Sequence, residues 1–229
     1  MKRNSAKLLL EFSVGLGIAT LITTYLISTT SGRVAAFIPI ISEMPFNEPE
    51  ATIFGTGLGI SIFSFLILAQ VFHQIFEPLA KNIGNNYENW NDMIRIIATM
   101  GAICGVITVN FHWNIYPLLH GFTAFILFTS FLTFAYILLE KSGKGNDMRK
   151  YAVYAGWIFY VLMFIFSVAD NLELREKEED FFYRMDNPPN VDTERSTYLN
   201  LTALCEWCMV FSFYAGALTY RKELEGISI

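Results

Sequence analysis

The sequence predicts an all-α membrane protein, a bundle of six transmembrane helices with both termini in the cytosol. Three observations carry this. The 229 residues are 53% hydrophobic and only 16% charged, where soluble domains carry about 25% charge. The charge clusters between six apolar runs, at 8–28, 53–75, 94–110, 117–139, 151–169 and 198–220. None of these runs alternates for long, and a segment in lipid must satisfy its own backbone, so helices are the only spanning structure available. Residues 1–229 read as one such domain. The net charge of -5 argues against a nucleic-acid surface.

The first run follows the basic stretch 1–7 and reads as a retained span, because no small-x-small cleavage site with a polar follower stands out. The third run is the shortest and leaves little room for tilt. Lys and Arg set the orientation. With the N-terminus in the cytosol, Lys2, Arg3, Lys7, Lys81, Arg95, Lys141, Lys144, Arg149, Lys150, Arg221 and Lys222 fall on that side, 11 of the 16 basic residues. The other side holds Arg33, Arg175, Lys177, Arg184 and Arg195.

Of the connections, the first non-cytosolic one, 29–52, stands out. Pro39, Pro45 and Pro49 exclude a continuous helix there. Its apolar half is too short to span, so it lies on the membrane surface or packs on other loops. Pro39, Ser42, Glu43 and Pro49 are the residues through which this loop would meet a partner. The cytosolic stretch 76–93 reads as a polar loop with Asn82, Asn85, Asn86 and Asn89, and with Tyr87 and Trp90 at the interface. The 110–116 connection is tight, which makes spans three and four antiparallel neighbours. The 140–150 loop is an ordinary basic cytosolic loop. The stretch 170–196 holds nine acidic residues against four basic ones and breaks at Pro188-Pro189. It is a solvated acidic cap or a docking face for a basic partner; no Ca²⁺-loop spacing is present. Asn200-Leu201-Thr202 is a glycosylation sequon placed very close to the bilayer.

One charge lies deep within a span. Glu206 is 15 residues before Arg221, roughly 22 Å at the helical rise, or about 8 Å inside the far boundary of a 30 Å core. A carboxyl there is paired, protonated or exposed to a water-filled cavity. His120, Thr123, Asn110 and Thr202 fall in the same half of the bundle. Depth alone predicts a polar cavity in which Glu206 hydrogen-bonds His120 or Thr123, directly or through water. Such a set serves as a polar clamp between helices, a lipid-headgroup or ion pocket, or an acid/base pair. No nucleophile with a strained elbow accompanies it, so no catalytic residue is assigned. Cys205-Glu206-Trp207-Cys208 has CxxC spacing but lies in mid-span, where neither thiolate formation nor exchange is favoured. Three scattered histidines make no metal-ligand set, and no cofactor is expected. Gly55-x-x-x-Gly59 and Gly101-x-x-x-Gly105 are small-xxx-small patterns that let helices approach closely.

Several short segments coincide: Pro39-Ile40-Ile41-Ser42-Glu43, Pro49-Glu50, Ile53-Phe54-Gly55, Asn110-Phe111, His120-Gly121, Ala124-Phe125, Glu206-Trp207 and Ser212-Phe213. Together they resemble the family of the damage-regulated autophagy modulators, the yeast Sfk-type proteins and the Frag-type factor of GPI-lipid remodelling. The resemblance implies lipid-linked biology: autophagy and lysosomes, phosphoinositide synthesis through a kinase scaffold, phospholipid asymmetry, or GPI-anchor lipid exchange. Only Arg221 to Ile229 follow the last span, which weakens a scaffold role that relies on a tail.

The expectation is therefore a non-catalytic integral membrane protein that modulates lipid handling, with membrane lipids and a larger membrane complex as its partners. The plasma membrane and the endomembranes (ER, Golgi, lysosome) are equally open. An enzyme or cofactor of GPI-anchor or phospholipid remodelling, using His120 and Glu206, is the first alternative. A small channel or transporter is the second; an intact set of spans with one deep charge speaks against it.

Overall fold

A computed structural model describes residues 4–35, 37–83, 85–141, 147–176 and 195–229, and the side chains of these except at 78–90, 141 and 175–176. Six helices follow in order: α1 (Ser5–Thr30), α2 (Glu50–Ile83), α3 (Asn85–Asn110), α4 (Pro117–Lys141), α5 (Asp147–Glu176) and α6 (Thr197–Leu218). All six are long and apolar enough to cross a membrane. No strand occurs among the described residues. The structure is the expected all-helical six-span protein.

The helices overrun the apolar runs that predicted them. α3 begins at Asn85 rather than 94, and α2 continues to Ile83. The expected polar loop 76–93 is therefore mostly helix. Once a helix is nucleated, each further residue adds a hydrogen bond, so polar residues continue it into water. Asn91 instead ties the extension to its neighbour, buried within α3 with its amide donating to the His73 carbonyl of α2 at 3.1 Å. The side chains of Asn82, Asn85, Asn86, Asn89, Tyr87 and Trp90 lie outside the described residues, as does the acidic stretch 177–194 with Pro188-Pro189.

Sequential neighbours pack: α1 on α2, α2 on α3, α3 on α4, and α5 on α6. The α5–α6 hairpin meets α4 and α1 over much smaller areas. Small residues allow the close approaches, though not all at the predicted positions. Gly55 faces Asn110 and Val109, Gly101 faces Ser130 and Phe131, and Gly105 faces Leu127 and Ile62. Gly59 meets nothing; Gly57, outside the pattern, takes its place, and a Cβ added there would lie 2.1 Å from Thr20 Oγ1.

At the end of the bundle that holds both termini, the tail folds back onto the start of α1. Gly226 N donates to Asn4 Oδ1 (2.8 Å) and Ile229 N to Ser5 Oγ (2.8 Å). Arg149 is buried there. Its guanidinium stacks over the Tyr220 ring at 3.6 Å and bonds Thr219 Oγ1, the Thr219 carbonyl and Glu223. At the opposite end the α5–α6 connection is tied by Ser196, which caps α6 by accepting from Leu199 N (2.9 Å) and donates to Asp170 of α5.

Candidate functional site

The segment joining α1 to α2 enters the bundle at its loop end. Its prolines keep it from forming a regular helix, and a buried backbone without a helix must find other partners for its amides. A short 3₁₀ segment, Ile41–Phe46, carries Ile41, Glu43 and Met44 into the interior. Two consecutive amides are met by two carboxyl groups. Ile40 N donates to Glu43 Oε2 at 2.9 Å, and Ile41 N donates to Glu206 Oε2 at 2.6 Å. The next residue of α6, Trp207, donates from Nε1 to the Pro39 carbonyl at 2.8 Å. Glu206-Trp207 thus grips Pro39–Ile41 across more than 160 residues of sequence.

Ion pairs hold the same loop from either side. Arg195 Nη1 reaches Glu43 Oε2 at 2.9 Å, while its Nε donates to Asn200 Oδ1 at 3.1 Å. Both side chains of the pair are buried, 6% and 1% exposed. Arg33 pairs with the fully buried Glu50 at the start of α2 and also donates to the Glu48 carbonyl at 2.8 Å. Trp113, in the α3–α4 connection, packs edge-on against Phe46 with ring centroids 5.2 Å apart. Beside it, burial pushes the His112 imidazole below its ordinary value, and the Glu48 charge acts in the opposite direction.

Two cavities adjoin the gripped segment. The first, of about 110 Å³, lies among α1, α2, α3, α4 and α6. Leu58, Phe65, Leu127, Phe131 and Met209 make its wall largely apolar, and Ser42, His120 and Glu206 stand at its border. The second, of about 200 Å³, has more polar groups in its wall, with Glu43, Ser167, Asp170, Asn171 and Thr202 beside Ile40, Trp113, Pro117 and Leu199. Ser42 and His120 line both, so the two compartments meet at these residues.

His120 and Glu206 thus border one cavity, but a largely apolar one where depth predicted a polar one. The Glu206 carboxyl does not reach His120 or Thr123, however; its hydrogen bond goes to the Ile41 amide. The reason is that the inserted loop brings a buried N–H which needs an acceptor more than the hydroxyl of Thr123 does. Thr123 is engaged elsewhere, accepting from Thr108 at 2.9 Å and donating to the Leu119 carbonyl. His120 Nδ1 donates to the Phe111 carbonyl at 2.8 Å, fastening α4 to the end of α3. Asn110 bonds its own helix at the Val106 carbonyl and lies against Gly55, away from both cavities. Thr202 borders the polar cavity while donating to the Tyr198 carbonyl. In the loop, Pro39 and Glu43 are engaged inward, Ser42 stands at the junction, and the Pro49 carbonyl accepts from Ile53 N at the start of α2.

Sequence reasoning missed the counterparts of these residues. Ile41 offers only a backbone amide, which has no sequence signal. Arg195 and Arg33 read as loop charges, although an arginine next to a helix cap and a glutamate after Pro49 were visible. The hydroxyl of Tyr214 of α6 sits against Gly17 of α1, and a Cβ added to Gly17 would lie 2.2 Å from it. Cys205 and Cys208 are free thiols, and no group of three metal-ligating side chains occurs among the described residues.

Residues 5–227 match the family model Frag1/DRAM/Sfk1/Cwh43P N-terminal domain. The chain belongs to that family. It is 25% identical to the DNA damage-regulated autophagy modulator protein 1 of Xenopus laevis, over 90% of this chain and 85% of that protein. The proteins of the same name from Mus musculus and Homo sapiens are 22% and 20% identical, each over 92% of this chain and 87% of theirs. No solved structure matches significantly.

Proposed function

We propose that this chain is a non-catalytic membrane protein that holds a membrane lipid, and that it serves autophagy-linked lipid handling as a subunit or adaptor of a larger membrane assembly. One observation carries the lipid reading: an almost wholly apolar cavity meets, at Ser42 and His120, a second cavity with several polar side chains in its wall. An amphiphile has the same two halves, and binding sites of this kind combine an apolar wall with a few placed polar groups. The names of the relatives supply the autophagy link.

The non-catalytic reading rests on how the polar groups are engaged. The proton on His120 Nδ1 goes to a backbone carbonyl rather than to an orienting carboxylate, and Glu206 holds a backbone amide. A histidine base in a Ser-His-Asp arrangement needs a carboxylate at that nitrogen. Charge supports a cytosolic position for both termini, with 11 of 16 basic residues on that side. A C-terminal tag is then expected to stay hidden from antibody on intact cells; staining without permeabilisation would reverse the orientation.

Lipid held in the apolar cavity should survive purification in mild detergent and appear by mass spectrometry. Ala124 lines that cavity, so Ala124→Phe should displace the lipid while the protein stays folded. Wild-type protein free of bound lipid, or a variant that retains it fully, would overturn the proposal. Native purification yielding only a monomer with no protein companion would remove the adaptor part alone.

A further inference from the structure

We infer that the paired cavities take an uncharged single-chain lipid with a hydroxylated ester head, the monoacylglycerol class, an inference that rests on the lipid-holding reading above. Size limits the tail. The apolar compartment is about 110 Å³, smaller than the engineered cavity of about 150 Å³ that accommodates benzene. It takes the end of one hydrocarbon chain, not two chains side by side. Phe65 and Phe213 line this compartment and also a third cavity of about 30 Å³ that reaches Tyr220. The tail therefore points from the junction toward the terminal end of the bundle.

What the junction leaves free sets the head. Its charges are engaged within the protein. Glu43 is paired with Arg195. The Nη2 of Arg195 is buried without a partner, but Arg195 lines neither cavity and offers no cation to a phosphate there. Asp170 accepts from Ser196. Glu206 is 7% exposed, and among the described residues no ion pair reaches it. An unpaired charge within a span is costly, so this carboxyl is neutral. Its Oε2 accepts from the Ile41 amide and is the carbonyl oxygen. The proton then sits on Oε1, which has no hydrogen-bond partner among the described residues, in a side chain that lines the apolar compartment. A buried donor of this kind needs an acceptor, and an ester carbonyl supplies one without a charge. The Ser42 hydroxyl is likewise free, and Ser167, Asn171 and Thr202 continue the wall with neutral groups. Hydroxyls both donate and accept, so a glycerol head matches such a wall. A charged head would give up its hydration and find no free counter-ion.

The test uses full-length protein in uncharged detergent, with competition read by native mass spectrometry. The probes share one kind of chain: monooleoylglycerol, methyl oleate, dioleoylglycerol, oleoyl lysophosphatidic acid and oleylamine. Monooleoylglycerol should bind roughly three- to tenfold more tightly than methyl oleate, the difference a neutral hydrogen bond makes. The two-chain probe and the two charged probes should be weakest. Ser42→Ala should shrink the advantage over methyl oleate about threefold. Glu206→Gln keeps an oxygen for the Ile41 amide and an N–H for the ester, and should hold monooleoylglycerol within about twofold of the wild-type affinity. Dioleoylglycerol, the phosphate or the amine binding as tightly as monooleoylglycerol in the wild-type protein overturns the inference. So does a Ser42→Ala protein with the full advantage, or a Glu206→Gln protein that unfolds at the wild-type temperature yet binds monooleoylglycerol about tenfold less. Failure of all the probes to bind overturns the lipid-holding reading itself.

Discussion

The loop end and the terminal end of the bundle solve the same problem differently. Each fastens a non-helical segment to the helices with a buried arginine. At the terminal end Arg149 is 2% exposed, but its partner Glu223 is 41% exposed, and the stacked Tyr220 ring fills the space beneath. Water can take the place of Arg149 at the half-exposed Glu223. At the loop end both Arg195 and Glu43 are buried, and the segment they hold borders two cavities. A buried pair is weak evidence for stability, because desolvation offsets much of the attraction. The loop end is the candidate site because the segment it holds borders the two larger cavities, whereas at the terminal end Tyr220 borders one of only about 30 Å³.

The sharpest way to break this contrast is to remove one arginine at each end. Arg195→Ala leaves Glu43 buried and unmatched, which should cost about 3–5 kcal/mol. Arg149→Ala loses a stacking contact and hydrogen bonds to Thr219, but leaves Glu223 near water, and should cost about 1–2 kcal/mol. Thermal unfolding of both variants in one detergent compares them directly. Adding Glu43→Gln to Arg195→Ala should recover most of the larger loss, since glutamine still accepts from the Ile40 amide. Equal losses at the two ends would show that the loop end is an ordinary structural seal.

The wall of the apolar cavity gives the next largest effect. Gly17→Ala would bring a methyl 2.2 Å from the Tyr214 hydroxyl. Overpacking of this kind costs about 1–3 kcal/mol. Tyr214→Phe removes the clashing oxygen, so the double variant should unfold later than Gly17→Ala alone. A Gly17→Ala protein with wild-type stability would mean that Tyr214 swings aside freely and that the cavity wall is soft. A smaller change at the loop grip is Trp207→Phe, which deletes the donor to the Pro39 carbonyl and should cost about 1 kcal/mol. Ala51, Ile53 and the rest of α2 keep their own bonds, so faster amide exchange should appear at Ile40 and Ile41 without spreading into α2.

Much of this molecule was legible in the sequence, for physical reasons that also explain the gaps. Six apolar runs must be helices in lipid, and Glu206 had to be accommodated by something, so the fold and the odd carboxyl both declared themselves. The identity of its partner did not. The Ile41 amide becomes a donor in need only because Pro39 and Pro45 keep the segment out of a helix and the fold then buries it. His120 was placed in the right half of the bundle from its distance to the end of its span, but its bond to the Phe111 carbonyl depends on how tightly α3 turns into α4. Gly59 and Gly57 show the same limit: spacing announces that helices approach closely, while the facing residue, Thr20 here, decides which glycine is used.

The smallest effect is one of pH, and it separates the two ends without altering a buried pair. His112 lies in the α3–α4 connection beside the loop. Its ordinary value is 6.5, and burial lowers it in the folded protein despite the nearby Glu48 charge. The unfolded chain therefore binds the proton more readily than the folded one. Stability from this group is present above pH 6.5 and is lost as the pH falls from there through the lowered folded value. The ring is only partly buried, so solvent screening keeps the effect small. The unfolding midpoint should decline gently below pH 6.5 in the wild-type protein, and His112→Gln should flatten that decline. A decline that is unchanged in His112→Gln would assign it to other groups and leave the α3–α4 connection without a role in the response of the loop end to acid.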